Sequence, residues 1–250
     1  MKVLEFGNIN NKKLVLIHGF QCPYQVWNEY IEYYKNIFHI IVIILENHYP
    51  NELDFISYKE TSKKFVDYYL SKYNDNIYAI FGMSLGGVIA CNIWENKNIN
   101  IDNLILDGSP LLPYPKILKK YFLNFYLNVS HKTQNRDDKT IKSAINNIIP
   151  KKYLKEFLNV LDNMTDENII RYLNEWGKYK LPNNIESNTN IYYFHGTKIN
   201  EMIAKKSAKY LEKHYKNILV KKFNKKGHCE ISLMNEKVMI KELDNILNTK

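Results

Sequence analysis

Short unbroken apolar runs alternate along this chain with longer stretches whose apolar residues recur every three to four positions. That alternation constrains the fold more than any other feature. Leu14–His18, Ile37–Leu45, Ile77–Phe81, Leu104–Asp107, Ile191–His195 and Ile218–Phe223 read as strands. Between and after them, Pro23–Asn36, Ser57–Lys72, Ser84–Glu95, Glu201–Tyr215 and Ile231–Leu247 carry the helical period. A strand that is apolar at every position has no face for water. The pattern therefore predicts an α/β fold, a mostly parallel sheet covered by helices on both faces. A length of 250 residues suits one large domain, or one domain carrying an insertion.

The rhythm breaks between Pro110 and Pro182. Pro110, Pro113 and Pro115 open the segment, and helical patterns follow at Ile117–Leu127, Tyr153–Leu161 and Glu167–Gly177 with no buried strand among them. The expected organisation is a core built from residues 1–109 and 183–250, with residues 110–182 as a helical insertion above the carboxyl ends of the strands. Excising the insertion is expected to leave a folded sheet domain.

Three motifs carry chemistry. The first is Gly82-Met83-Ser84-Leu85-Gly86-Gly87, between the strand Ile77–Phe81 and a helix. A sharp strand-to-helix turn lifts the Ser84 hydroxyl above the sheet edge at a helix N-terminus, where developing negative charge is favoured. The second, Ile17-His18-Gly19-Phe20, ends a strand, and its turn can aim the Phe20 amide at the same point as the Leu85 amide. Two such donors form an oxyanion hole, in which one donor is worth about 3–4 kcal/mol. His18 itself reads as a residue that packs and bonds around the turn. The third is Gly227-His228-Cys229-Glu230, after the penultimate apolar run. A serine hydroxyl needs an imidazole to take its proton. Of the seven histidines, only His228 lies in a glycine-containing loop close to the C-terminus.

In this order, His18-Gly19-Phe20 with Trp27 downstream, Gly82-Met83-Ser84-Leu85-Gly86-Gly87 and the late Gly227-His228-Cys229-Glu230 resemble the α/β-hydrolase superfamily over nearly the whole chain. The resemblance implies an eight-stranded sheet, a helical cap after strand 6 that 110–182 matches, and a nucleophile–acid–histidine order. Here the first two strands are reduced to something like Val3–Phe6. Family members usually carry the acid a few residues after the strand ending at His195. That loop reads Gly196-Thr197-Lys198-Ile199-Asn200-Glu201 and holds Ile199 where Asp is commonest. Glu201 reaches His228 if the loop bulges, and Asp107, ending an earlier strand, competes with it. The reading is a cap-bearing serine esterase or lipase-like hydrolase that cleaves an ester or related acyl bond of a small molecule through an acyl-enzyme. Its site is Ser84, His228 and Glu201, with the Phe20 and Leu85 amides, and it requires neither metal nor organic cofactor. Tyr121, Phe122, Phe125 and Tyr126 line an acyl pocket or form the cap's own core. Two rivals stay open at this level: a same-fold lyase or carbon–carbon hydrolase, which would want Arg136 or Arg171 in the cap, and a non-catalytic small-molecule binding protein.

Composition trims the alternatives. The net charge is +9, yet of 35 basic residues only Arg136 and Arg171 are arginine. Scattered lysines read as solvated helix faces, so no nucleic-acid partner is expected. Cys22, Cys91 and Cys229 show no C-x-x-C spacing, as suits a reducing compartment. The longest apolar run, Ile40–Leu45, is far below the roughly 20 residues a bilayer requires. A cytoplasmic protein without a stable membrane anchor is expected.

Overall fold

The computed structural model describes residues 1–50, 54–186 and 188–247. Positions 51–53, 187 and 248–250, all within the two segments expected to form the core, lie outside the described residues. The chain runs β1 (Lys2–Phe6), β2 (Lys13–Ile17), α1 (Asn28–Tyr34), β3 (His39–Ile44), α2 (Tyr58–Lys72), β4 (Asn76–Met83), α3 (Leu85–Trp94) and β5 (Asn100–Asp107). Four helices follow: α4 (Lys119–Gln134), α5 (Asp138–Asn147), α6 (Leu154–Asp162) and α7 (Asp166–Lys178). The chain then returns to the sheet as β6 (Asn190–Gly196), α8 (Met202–His214), β7 (Ile218–Phe223), α9 (Glu230–Met234) and α10 (Glu236–Leu247).

The seven strands lie in the order β1-β3-β2-β4-β5-β6-β7, and every pairing is parallel except β1 with β3. Among the described residues the sheet has one strand fewer than the eight the resemblance implied. The helical segment consequently follows the fifth strand here, which takes the place of the family's sixth. All six side chains of β3 are buried, as its unbroken apolar run requires. Two apolar clusters cover the two faces of the sheet, one containing Val15, Ile17, Ile80 and Leu104, the other Leu14, Leu16, Phe81 and Ile105. Alternate residues of the same strands thus feed opposite cores, which is the period of two expressed as packing.

Register is what makes a site. Ile17 pairs with Gly82, Met83 with Asp107, Asp107 with Phe194, and Gly196 with Phe223. The carboxyl ends of β2, β4, β5 and β6 therefore finish at one level, and the loops carrying His18–Phe20, Ser84, Gly108 and Glu201 emerge side by side. This is the sheet edge where ligands bind in open α/β folds.

Between β5 and β6 only helical elements occur among the described residues. The last helix of the segment is fastened to the sheet domain. The Tyr172 hydroxyl donates to the Glu46 carbonyl (2.9 Å), and the Tyr58 hydroxyl donates to the Tyr172 carbonyl (2.8 Å). The Tyr172 ring stacks on Phe55 at 3.6 Å between centroids. Arg171 donates to the Phe55 carbonyl at 2.8 Å. Tyr172, Leu173 and Trp176 belong to the same apolar cluster as Val15 and Ile17. No helix among the described residues is long and apolar enough to cross a membrane.

Candidate active site

Ser84 stands between β4 and α3 with φ 50° and ψ −123°, in left-handed territory that a residue with a Cβ enters only under strain. The turn is this tight because its neighbours lack side chains. A Cβ on Gly86 would lie 2.4 Å from the Ile17 and His18 carbonyl oxygens, and one on Gly82 would lie 2.6 Å from the Gly87 Cα. The Ser84 amide donates to the Asp107 carbonyl at 2.8 Å, tying the turn to the end of β5.

Across the sheet edge, His228 Nε2 lies 2.9 Å from Ser84 Oγ, and His228 Nδ1 lies 2.7 Å from Glu201 Oε1. The other Glu201 oxygen accepts the Gly196 amide at 2.7 Å, and the residue is fully buried. Rather than a bulge, a 3-10 turn over Ile199–Glu201 brings the carboxylate round. Burial opposes the charged imidazolium of His228. The Glu201 hydrogen bond and charge, with a smaller push from Asp107, outweigh it, so His228 titrates above the ordinary histidine range.

Asp107 is also buried, but it faces another way. It accepts the Ser232 hydroxyl in a short hydrogen bond, while its backbone carbonyl takes the Cys229 thiol at 3.3 Å. The neighbouring Gly108 amide bonds to the Phe194 carbonyl. The Asp107 carboxylate thus ties β5 to α9. Burial pushes its pKa up to about 7, with the Ser232 bond pulling the other way and the Glu201 charge adding to the rise. Gly108 has φ +63°, and a Cβ there would sit 2.8 Å from His228 Cε1. The imidazole rests directly against that glycine.

The His18-Gly19-Phe20 turn comes within reach of the serine, since a Cβ on Gly19 would be 3.2 Å from Ser84 Cβ. Neither the Phe20 nor the Leu85 amide donates to a partner among the described residues. His18 is fully buried, with Nδ1 on the Gly19 carbonyl (2.8 Å) and Nε2 receiving the Leu45 amide (3.2 Å). Burial depresses its pKa to about 4, so it is neutral and its two nitrogens hold the turn.

A cavity of about 100 Å³ opens on Ser84 and His228. Leu85, Pro110, Phe122, Tyr126, Trp176 and Ile203 form most of its wall. Phe122 and Tyr126 of α4 thus face the serine, whereas Tyr121 and Phe125 are exposed. Trp176 and Pro110 were not foreseen as lining; an apolar face on α7 was the available signal. Arg136 is paired in a fork with Asp162 (2.8 and 2.7 Å) and Arg171 is committed to the Phe55 carbonyl. Neither lines the cavity.

No protein-family model matches the chain. Solved structures match it along almost its full length. An alpha/beta hydrolase family protein from Desulfitobacterium hafniense superposes with a TM-score of 0.77, 19% identity, and 98% and 100% of the two chains covered. The chain has the α/β-hydrolase fold. A second structure with the same fold is an esterase from Exiguobacterium antarcticum, with a TM-score of 0.75, 15% identity, and 98% and 94% covered. Among curated proteins, a pimeloyl-[acyl-carrier protein] methyl ester esterase of Legionella pneumophila is 25% identical over 223 residues, or 86% of this chain and 87% of the relative.

Proposed function

We propose that this protein is a serine carboxylic ester hydrolase acting on a small-molecule ester through an acyl-enzyme. The observation that carries the reading is the unbroken line Ser84–His228–Glu201, with contacts of 2.9 and 2.7 Å, beside the Phe20 and Leu85 amides, which have no other partner among the described residues. Relatives named as esterases support the ester as substrate class.

In this reading Ser84 Oγ attacks the ester carbonyl carbon while its proton passes to His228 Nε2. Glu201 keeps the proton of the imidazole on Nδ1 and steadies the imidazolium. The carbonyl oxygen becomes an oxyanion that the Phe20 and Leu85 amides hold. Collapse breaks the bond to the alcohol oxygen, which leaves with the proton from Nε2. Water then attacks the Ser84 ester, delivers a proton to Nε2, and releases the acid as Ser84 recovers its own. Every proton in the cycle has a place on His228, so the cycle calls on no cofactor. Residues 110–182 act as the cap of a core formed by 1–109 and 183–250.

A lyase or carbon–carbon hydrolase handling a carboxylate would need a cation at the substrate. Arg136 and Arg171 are engaged elsewhere, which favours the esterase reading. A fluorophosphonate probe tests it directly. Stoichiometric labelling that disappears in Ser84→Ala supports an activated serine; an unlabelled wild type would leave only a binding role.

A further inference from the structure

The cavity beside Ser84 carries an inference about substrate class, resting on the serine-hydrolase reading above. In an acyl-enzyme the alcohol departs and water enters, while the acyl group stays bonded to Ser84 Oγ through both halves of the reaction. The departing group needs a way to solvent, and the His228 side chain, 39% exposed, lies on it. The resident group needs an enclosure, and the cavity touching Ser84 supplies one.

That cavity is small and one of its walls is fixed. Trp176 is 5% exposed. Its ring meets Tyr114 edge-on at 4.7 Å and Phe122 at 4.9 Å, and Tyr114 and Phe122 meet at 5.1 Å. The Tyr114 hydroxyl is anchored on the Leu173 carbonyl at 3.0 Å. A Cβ on Gly177 would fall 2.8 Å from that hydroxyl, so Tyr114 backs closely onto α7. Three interlocked rings leave the wall no easy rotamer to yield. An apolar cavity of about 150 Å³ accommodates benzene, six carbons. In proportion, a cavity of about 100 Å³ holds a chain of about four carbons. The lining contributes no lysine or arginine, so a carboxylate on the acyl group would be buried without a countercharge.

We infer that the substrates are esters whose acyl arm is short, about four carbons, and uncharged, and that Trp176 and Phe122 set that limit. The test measures kcat/KM for 4-nitrophenyl acetate, butyrate, hexanoate and octanoate below their aggregation limits, and for methyl butyrate against monomethyl succinate. Butyrate should exceed octanoate by about tenfold or more, since a hydrophobic pocket discriminates at that scale per misfit methylene. Monomethyl succinate should be poorer than methyl butyrate by about the same factor or more.

Trp176→Ala should bring octanoate close to butyrate. Phe122 is only partly buried, so Phe122→Ala runs in parallel as the gentler enlargement. Ala204→Val narrows the same space and should move the preference towards acetate. Labelling by a small fluorophosphonate is read in every variant. A labelled wild type that takes octanoate or the succinate as readily as butyrate overturns the inference and leaves the esterase reading intact. So does a chain-length limit that none of the three variants moves. An unlabelled wild type removes both readings together.

Discussion

Glu201→Gln tests the proposed acid through the proton it places. Glu201 uses both oxygens: one accepts the Gly196 amide at 2.7 Å, and the other faces His228 Nδ1 at 2.7 Å. A glutamine in the same rotamer has one oxygen and one NH2. Orphaning the buried Gly196 amide would cost about 1–3 kcal/mol, so the oxygen stays there and the NH2 turns towards Nδ1. Two donors cannot face each other. The imidazole then carries its proton on Nε2, 2.9 Å from Ser84 Oγ, where it must be absent if the serine is to lose its own. Holding a triad histidine in the wrong tautomer costs kcat about 10⁴-fold, or about 5 kcal/mol of barrier. KM should change little, because the ester does not touch Glu201. Steady-state hydrolysis of 4-nitrophenyl butyrate measures both constants. The acid limb of kcat/KM gives a second signature, because the base works only when neutral. A raised His228 pKa sets that limb above the ordinary histidine range of about 6.5. Removing the Glu201 bond and charge leaves burial dominant, and the limb moves to lower pH. A Glu201→Gln enzyme within tenfold of wild type, or an Asp107→Asn enzyme crippled in its place, would refute the assignment.

Ser84→Ala should lower turnover by about 10⁶-fold with folding intact, checked by kcat and thermal melting. Ser84→Gly should be equally inactive but melt about 2–4 °C higher, because it releases the strain at φ 50° for a net gain of about 1 kcal/mol. Asp107 titrates at about 7 in the fold against roughly 3.9 unfolded, so its contribution is fully present below the unfolded value and lost as pH rises through 7. The melting temperature of Asp107→Asn minus that of wild type should therefore become more positive from pH 5 to pH 8; a difference flat with pH would contradict this. Gly108→Ala should cut kcat about a hundredfold or more and slow fluorophosphonate labelling, since the new Cβ takes space now held by His228 Cε1.

The fold was legible because a buried parallel strand leaves an unbroken apolar run, and such runs survive in β2, β3 and β4 without need of context. The fraying of prediction came where tertiary contacts decide. Ile231–Leu247 reads as one helix but breaks into α9 and α10 at Asn235. Asp138–Asn147 keeps the helical period only in Ile141, Ala144 and Ile145 among polar residues, with Ala144 alone buried, so the signal of α5 is brief. At the site, glycine spacing and position between strand and helix pointed to Ser84 and His228, because tight backbone approach needs glycine whatever the rest of the sequence does. The acid was ambiguous for a physical reason. Asp107 ends one buried strand and Glu201 follows another, and only the 3-10 turn at Ile199–Glu201 and the Ser232 hydroxyl separate their directions. Neither is visible in one dimension.

The fastening of α7 by Arg171 and Tyr172 bears on traffic through the site. Swinging the helix outward as a lid would part a stacked ring pair and three hydrogen bonds, and would open the apolar cluster shared with β2. Ester and acid should instead pass along the exposed edge of His228 while the roof stays shut. Catalysis then has no large hinge moving through solvent in its cycle. Turnover measured in glycerol or sucrose should follow the bond-making steps and stay independent of viscosity.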